Sequence, residues 1–157
     1  MAQFLLILFE KGCSMSRKIL VVFDSLNIPQ EVVRYAIGLA KRTEAELTLF
    51  LILYLNLQNS QNSLLEEAKW KNLGRKALLP AIFDIRQAGV QVTEEISVGD
   101  PSSEFLKFIA RNYPFQTIIW GGSKNLLESR SHKGGGHWLM QIKNNLNCPL
   151  VIPSGKP

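Results

Sequence analysis

Ile19 to Phe23 is an unbroken apolar run, rich in β-branched residues, that stops at Asp24-Ser25. This pattern predicts a strand buried on both faces, as inside a parallel sheet. Leu47 to Leu55 predicts a second buried strand and Thr117 to Trp120 a fourth. Between the first two, Val32, Val33, Ala36, Ile37 and Ala40 recur at helical spacing. Asn27 is the expected N-cap of that helix, Gln30 stands three residues on, and Lys41-Arg42 suit the negative end of its dipole. Ser63 to about Gln87 reads as a long helical stretch that Pro80 is expected to kink or split.

Val90, Val92, Glu94 and Ile96 alternate with polar residues and predict a third strand, less deeply buried than the first two. In Gly99-Asp100-Pro101 the aspartate can cap the next helix and the proline suits its first position, where a missing N–H costs nothing. Phe105, Phe108 and Ile109 give that helix a core face. Trp138 to Asn145 predicts a last helix, with Leu139, Ile142 and Leu146 on one side, and Pro149 to Ile152 a fifth strand.

Regular alternation of strand and helix predicts an α/β fold with a parallel sheet, helices on both faces and right-handed crossovers. In such a doubly wound sheet, ligands bind beyond the carboxyl ends of the strands, where strand order reverses. The residues singled out by that rule are Asp24-Ser25 and Gly121-Gly122-Ser123.

A chain of 157 residues has the length of one domain with a core large enough to need no disulfide or metal staple. Its two cysteines, Cys13 and Cys148, are too few for a disulfide framework, and no Cys or His pair has zinc-ligand spacing, so no metal is expected and a cytoplasmic setting is. The apolar stretches Phe4 to Phe9 and Leu47 to Leu55 are too short to span a bilayer. Residues 1–14 lack a basic n-region and a small-residue cleavage site, a poor fit to a signal peptide. Residues 1–16 read as an N-terminal extension before a domain at 17–157, and strand-like Gln3 to Phe9 would suit a sheet edge in its own subunit or a partner's.

Charge is uneven. The net value is +5, but residues 105–157 hold seven basic side chains (Lys107, Arg111, Lys124, Arg130, Lys133, Lys143 and Lys156) against the single acid Glu128. That positive field suits an anionic partner or is simply a solvated basic face. Nucleic acid is not the expected partner, because no basic run is interleaved with aromatics.

Trp120 to Gly136 leaves a buried strand and enters a helix with glycines at both ends and Lys124, Arg130 and Lys133 between. Such glycines let backbone N–H groups approach an anion, and the lysines and arginine would add charge; equally, the segment fits a surface connection whose glycines only turn the chain. No GxGxxG follows the first strand and no GxxxxGK[ST] occurs, which excludes the dinucleotide fingerprint and the Walker loop. Asp24 is either a ligand contact or a turn carboxylate, and its place in the topology favours the ligand. His132 and His137, with no carboxylate or third ligand in the pattern, read as solvated loop histidines. Cys148 reads as a buried thiol and Trp120 as core packing or a pocket wall.

Arg17-Lys-Ile-Leu-Val-Val-Phe-Asp24-Ser25, Gly99-Asp100-Pro101, Ile118-Ile-Trp-Gly-Gly-Ser123 and Cys148-Pro-Leu-Val-Ile152, in that order and separation, resemble the universal stress protein family over residues 17 to 153. The resemblance implies a three-layer, Rossmann-like and flavodoxin-like sandwich with a five-stranded parallel sheet of order 3-2-1-4-5. It also implies a homodimer paired through the last strand. Many members bind ATP or AMP, with magnesium accompanying ATP, through an Asp at the end of the first strand, backbone at the end of the second, and a Gly-x2-Gly-x9-Gly-Ser/Thr loop. Asp24 matches that acid and Ile52 lies near the second-strand contact. Gly121 matches the first glycine, Lys124 falls on the second, Gly134 on the third and Gly135 on the Ser or Thr. Spacing is kept while two of the four residues change, and Lys124 puts a long side chain where the pattern has none.

The expected nucleotide-binding set is therefore Asp24, Ser25, Ile52, Gly121, Gly122, Ser123, Lys124, Gly134, Gly135 and Gly136. The function expected is a stress-response regulatory module holding an adenine nucleotide and acting on a protein partner. The alternative is a dimeric interaction protein of the same fold that binds none. Catalysis is not expected, since no Ser/His/acid set or carboxylate pair converges on the predicted mouth.

Overall fold

Strands β1 (Lys18–Phe23), β2 (Glu46–Leu53), β3 (Val92–Val98), β4 (Thr117–Trp120) and β5 (Leu150–Val151) alternate with helices α1 (Gln30–Thr43), α2 (Ser63–Gln87), α3 (Pro101–Asn112) and α4 (Trp138–Ile142). The computed structural model describes residues 17–55, 63–122 and 137–153. All four strand pairings are parallel and the sheet order is β3-β2-β1-β4-β5, as expected. The N-terminal extension, with its strand-like Gln3 to Phe9, lies outside the described residues.

Alternation along the central strands builds two cores. Ile19, Val21 and Phe23 of β1 and Leu47, Leu49 and Leu51 of β2 face α1 and α2, meeting Val32, Ala36, Leu78, Ile82 and Ile85. Leu20, Val22, Phe50, Ile52, Ile118 and Trp120 face the other way, onto Phe105 and Phe108 of α3 and Leu139 and Ile142 of α4. Because both faces are covered, the strands must be apolar at every position, which is why β1 reads as a run and not as an alternation. Each fully buried large apolar side chain contributes about 1.5–3 kcal/mol.

Helix boundaries follow local chemistry, with one correction. Asn27 does not cap α1: Pro29 holds the cap position with extended dihedrals and no side-chain bond, and Val33 N–H donates to its carbonyl at 3.3 Å. Pro29 disfavours helical backbone at the residue before it, so the helix starts beyond it. Asn27 instead donates its N–H to Ser25 Oγ at 3.3 Å. Nor does Pro80 split α2, which runs unbroken from Ser63 to Gln87. Pro80 is on the exposed side, so the carbonyl one turn back, deprived of its N–H partner, faces water. Gly74 lets the same helix lie close on the sheet: a Cβ there would stand 3.0 Å from Leu51 Cδ2 and 3.1 Å from Ile96 Cγ2.

α3 begins as its sequence requires. Asp100 Oδ2 accepts from Ser103 N–H at 3.0 Å, and Pro101 follows as the first helical residue. β3 starts at Val92, two residues later than the alternation from Val90 suggests, and is buried only over Ile96–Val98. α4 is short and passes into a 3-10 turn at Lys143–Asn145, and β5 is two residues long. Among the described residues no helix is long and apolar enough to cross a membrane.

Candidate functional site

The register of the sheet assembles the site. Phe23 pairs with Leu51 and Val22 with Trp120, and Gly121 N–H continues the ladder by donating to Val22 O at 2.7 Å. The next rung therefore holds Asp24, Ile52 and Gly122 from three neighbouring strands. It lies at the carboxyl ends, where the connections leave β1 toward β2 on one side and β4 on the other. This is the switch point at which doubly wound sheets bind ligands. Strand alternation turns Asp24 to the α3 and α4 side, with Leu20 and Val22 below it.

Gly121 and Gly122 are required by close approach. A Cβ on Gly121 would lie 2.5 Å from Phe23 Cε1, and one on Gly122 would lie 2.5 Å from both Asp24 Oδ1 and Trp120 Cζ2. The carboxylate of Asp24 thus rests against the bare Cα of Gly122. Neither glycine has a positive φ; among the described glycines that conformation belongs to Gly89 at +83° and Gly99 at +150°.

His137 faces the same carboxylate from the start of α4. Its Nδ1 accepts from Leu139 N–H at 3.1 Å, so the imidazole caps the helix in place of a Ser or Asp side chain. A neutral ring accepting at Nδ1 carries its proton on Nε2. Nε2 stands 3.9 Å from Asp24 Oδ2, with the two side chains 13% and 21% exposed, so both are largely covered yet reach the surface. The ring packs edge-on to Trp120 at 5.1 Å and against Trp138 at 5.4 Å, and Trp138 leans on Phe105.

This corrects the expectation of a solvated loop histidine. The missing carboxylate is Asp24, which the sheet supplies from far along the chain, and the two tryptophans exclude water from most of the ring. The signal that pointed to it is its place one residue before an apolar helix, with a tryptophan beside it and another at the end of β4.

The remaining expected site residues fall as follows. Ser25 is exposed and spends its hydroxyl on a turn with Asn27, whose carbonyl it meets at 3.4 Å. Ile52 is wholly buried and registered with Ser97, so at this rung β2 presents backbone and no side chain. Trp120 is 2% exposed and serves as core. Ser123, Lys124, Gly134, Gly135 and Gly136, together with His132, lie outside the described residues. Cys148 is half-buried, against the expectation of a fully buried thiol, and its burial pushes the thiol pKa up.

Two cavities lined by described residues lie elsewhere. One of about 730 Å³ opens at the β3 edge between Lys71, Ser97, Lys107 and Arg111, and one of about 480 Å³ at the amino ends of the strands beside Arg17, Glu46 and Gly89. The cations of the first are already paired, Lys71 to Glu67, Lys107 to Glu104 and Arg111 to Glu95. The second is at the end of the sheet opposite the switch point. Topology and chemistry together select the Asp24 rung. Among the described residues no group of three or more His, Cys, Asp or Glu could hold a metal ion.

A three-layer α/β sandwich with an acid at its switch point and glycines closing over it is a known class of fold. The model of the universal stress protein family matches residues 15–152, and the chain belongs to that family. Solved structures share the architecture. A universal stress protein family member from Burkholderia pseudomallei superposes with a TM-score of 0.63 at 17% identity, over 89% of this chain and 97% of that one. The universal stress protein of Archaeoglobus fulgidus in complex with dAMP gives 0.54 at 15%, over 86% and 94%. A family protein from Arabidopsis thaliana with AMP bound gives 0.54 at 14%, over 88% and 92%. No curated protein matches the chain in sequence.

Proposed function

We propose that this protein is a regulatory module that binds an adenine nucleotide, AMP or ATP with its magnesium, at the carboxyl ends of β1, β2 and β4. The observation that carries the reading is the single rung of Asp24, Ile52 and Gly122 at the switch point. Asp24 offers a carboxylate to hydroxyl groups, β2 offers backbone, and the chain leaving Gly121 and Gly122 keeps the family's loop spacing. The basic C-terminal third supplies a field of the right sign for phosphates. Relatives crystallised with AMP or dAMP support the choice of base.

The module acts by presenting a ligand-dependent surface to a protein partner in the cytoplasm, and turnover of ATP slower than about one per second is expected. We extend the proposal to a homodimer paired through β5. That strand is an edge of the sheet and is followed by Ile152, an apolar residue left 48% exposed. Light scattering would report the dimer, and an Ile152→Lys change is expected to dissociate it.

Calorimetric titration with AMP and ATP, with and without magnesium, tests the nucleotide. Binding is expected to release heat and to raise the melting temperature, by the equivalent of about 2.7 kcal/mol at a hundredfold excess over Kd. No heat and no shift at millimolar ligand would leave the fold as a dimeric interaction protein without a nucleotide.

A further inference from the structure

We propose that the exposed face of α2 around Leu79 and Phe83 is the surface this module offers to its protein partner, and that it takes an amphipathic segment whose apolar side chains are flanked by carboxylates. The inference rests on the reading of the protein as a module that acts on a partner; it does not need the nucleotide.

The helix is committed to the sheet through one side only. Gly74, Leu78, Ala81, Ile82 and Ile85 are buried, and helical spacing sets Leu79 and Phe83, four residues apart, side by side on the outer surface. They are 58% and 61% exposed and belong to neither core. With Ile82, Arg86 and Gln87 they line a hollow of about 480 Å³. A lone exposed leucine is ordinary, whereas two large neighbouring apolar side chains at a hollow mark a contact surface.

Charge selects what sits there. Arg75 and Lys76 lie one turn before Leu79, and Arg86 one turn after Phe83. Against these cations the stretch from 75 to 87 has one acid, Asp84. Among the described residues no carboxylate pairs with any of the three, and Arg75 bonds only the side-chain oxygen of Asn72, at 3.0 Å. The exposed side of α3 differs in this respect: beside Leu106, Lys107 is neutralised by Glu104 and Arg111 by Glu95. Unpaired positive charge on both sides of an apolar centre fits a partner with the same layout in the opposite sign.

Other occupants fit less well. Antiparallel pairing of two copies through this face, Leu79 on Phe83, would set Lys76 against Arg86, and parallel pairing would set each cation against itself. A bilayer needs a broad apolar plane, and here two side chains project from a helix fixed to the sheet.

The test uses a synthetic amphipathic peptide with leucine and phenylalanine along one helical face and glutamate on either side, and its counterpart with every glutamate replaced by lysine. Each is titrated into the full chain by calorimetry, with amide NMR to locate the contact. The glutamate peptide is expected to bind with a Kd of about 1 mM or tighter. It should bind at least about tenfold more tightly than the lysine peptide and shift amides between 75 and 87. Phe83→Glu is expected to weaken it at least about tenfold without lowering the melting temperature. Lys76→Glu combined with Arg86→Glu, which leaves the apolar centre intact, is expected to reverse the preference. Should Phe83→Glu fail to fold, this reversal decides alone.

Equal binding of the two peptides, a contact elsewhere on the chain or an unweakened variant overturns the proposal. So does absence of peptide binding, whether or not the protein binds vesicles of phosphatidylglycerol and phosphatidylcholine or forms a dimer that Phe83→Glu dissociates. AMP titrated into the same sample separates the readings. AMP binding without peptide binding removes this surface and leaves the nucleotide site standing, and the converse removes the nucleotide alone.

Discussion

Asp24 Oδ1 lies within 2.5 Å of the point where a Cβ on Gly122 would stand, so the acid that ends β1 and the glycine that follows β4 fit together only because one of them has no side chain. Two connections that leave the sheet in opposite directions are thereby brought into contact at their first residues. The position of the carboxylate is set by the backbone of a neighbouring strand and not by its own rotamer alone.

Gly122→Ala is accordingly expected to displace Asp24 and Trp120 and to destabilise the protein by about 1–3 kcal/mol through overpacking. Urea unfolding measures this. Gly89→Ala is the control: its Cβ would meet nothing within 4 Å but its φ of +83° is unfavourable, and it should cost about 1–2 kcal/mol without altering ligand affinity.

Asp100→Ala removes the oxygen that accepts from Ser103 N–H. The expected loss is about 0.5–2 kcal/mol, read as a lower denaturation midpoint with an unchanged slope. Asp100→Asn or Asp100→Ser should restore most of it.

Phe108 stacks on Phe50 with centroids 4.1 Å apart and lies 6.0 Å from Phe115. Phe108→Ala is expected to cost about 3–5 kcal/mol. The loss falls on the α3 face, so near-ultraviolet circular dichroism should weaken there before the helix content changes.

Burial raises the Cys148 thiol above its ordinary value, so the folded state resists forming the thiolate. The stability this contributes is whole below the pKa of the unfolded chain's thiol and is lost as pH rises through the higher folded value. In a Cys13→Ser background, alkylation of Cys148 should reach half its maximal rate at a higher pH than a free cysteine does. A profile matching free cysteine would remove the effect.

Much of this fold is legible residue by residue. β1 and β2 announce themselves as apolar runs because the sheet is covered on both sides, and the start of α3 because Asp100 and Pro101 act on their immediate neighbours. Where a distant or opposing influence decides, the pattern misleads. Asn27 has the right chemistry for a cap, yet Pro29 prevents the helix from starting there, and Pro80 is tolerated because its side of α2 is wet. The candidate site divides in the same way. Asp24 and the two glycines follow from topology, whereas His137 required the pairing of β1 with β4 and the tryptophans on either side of it, Trp120 and Trp138, which lie far from Asp24 in the chain.

The two cores differ in aromatic content, and this has a practical consequence. Of the three tryptophans, Trp70 lies with the α1 and α2 layer, while Trp120 and Trp138 both touch the imidazole that faces Asp24. Two of the three indoles therefore lie against that ring, and a change at the mouth can be followed through their emission, with no dye attached.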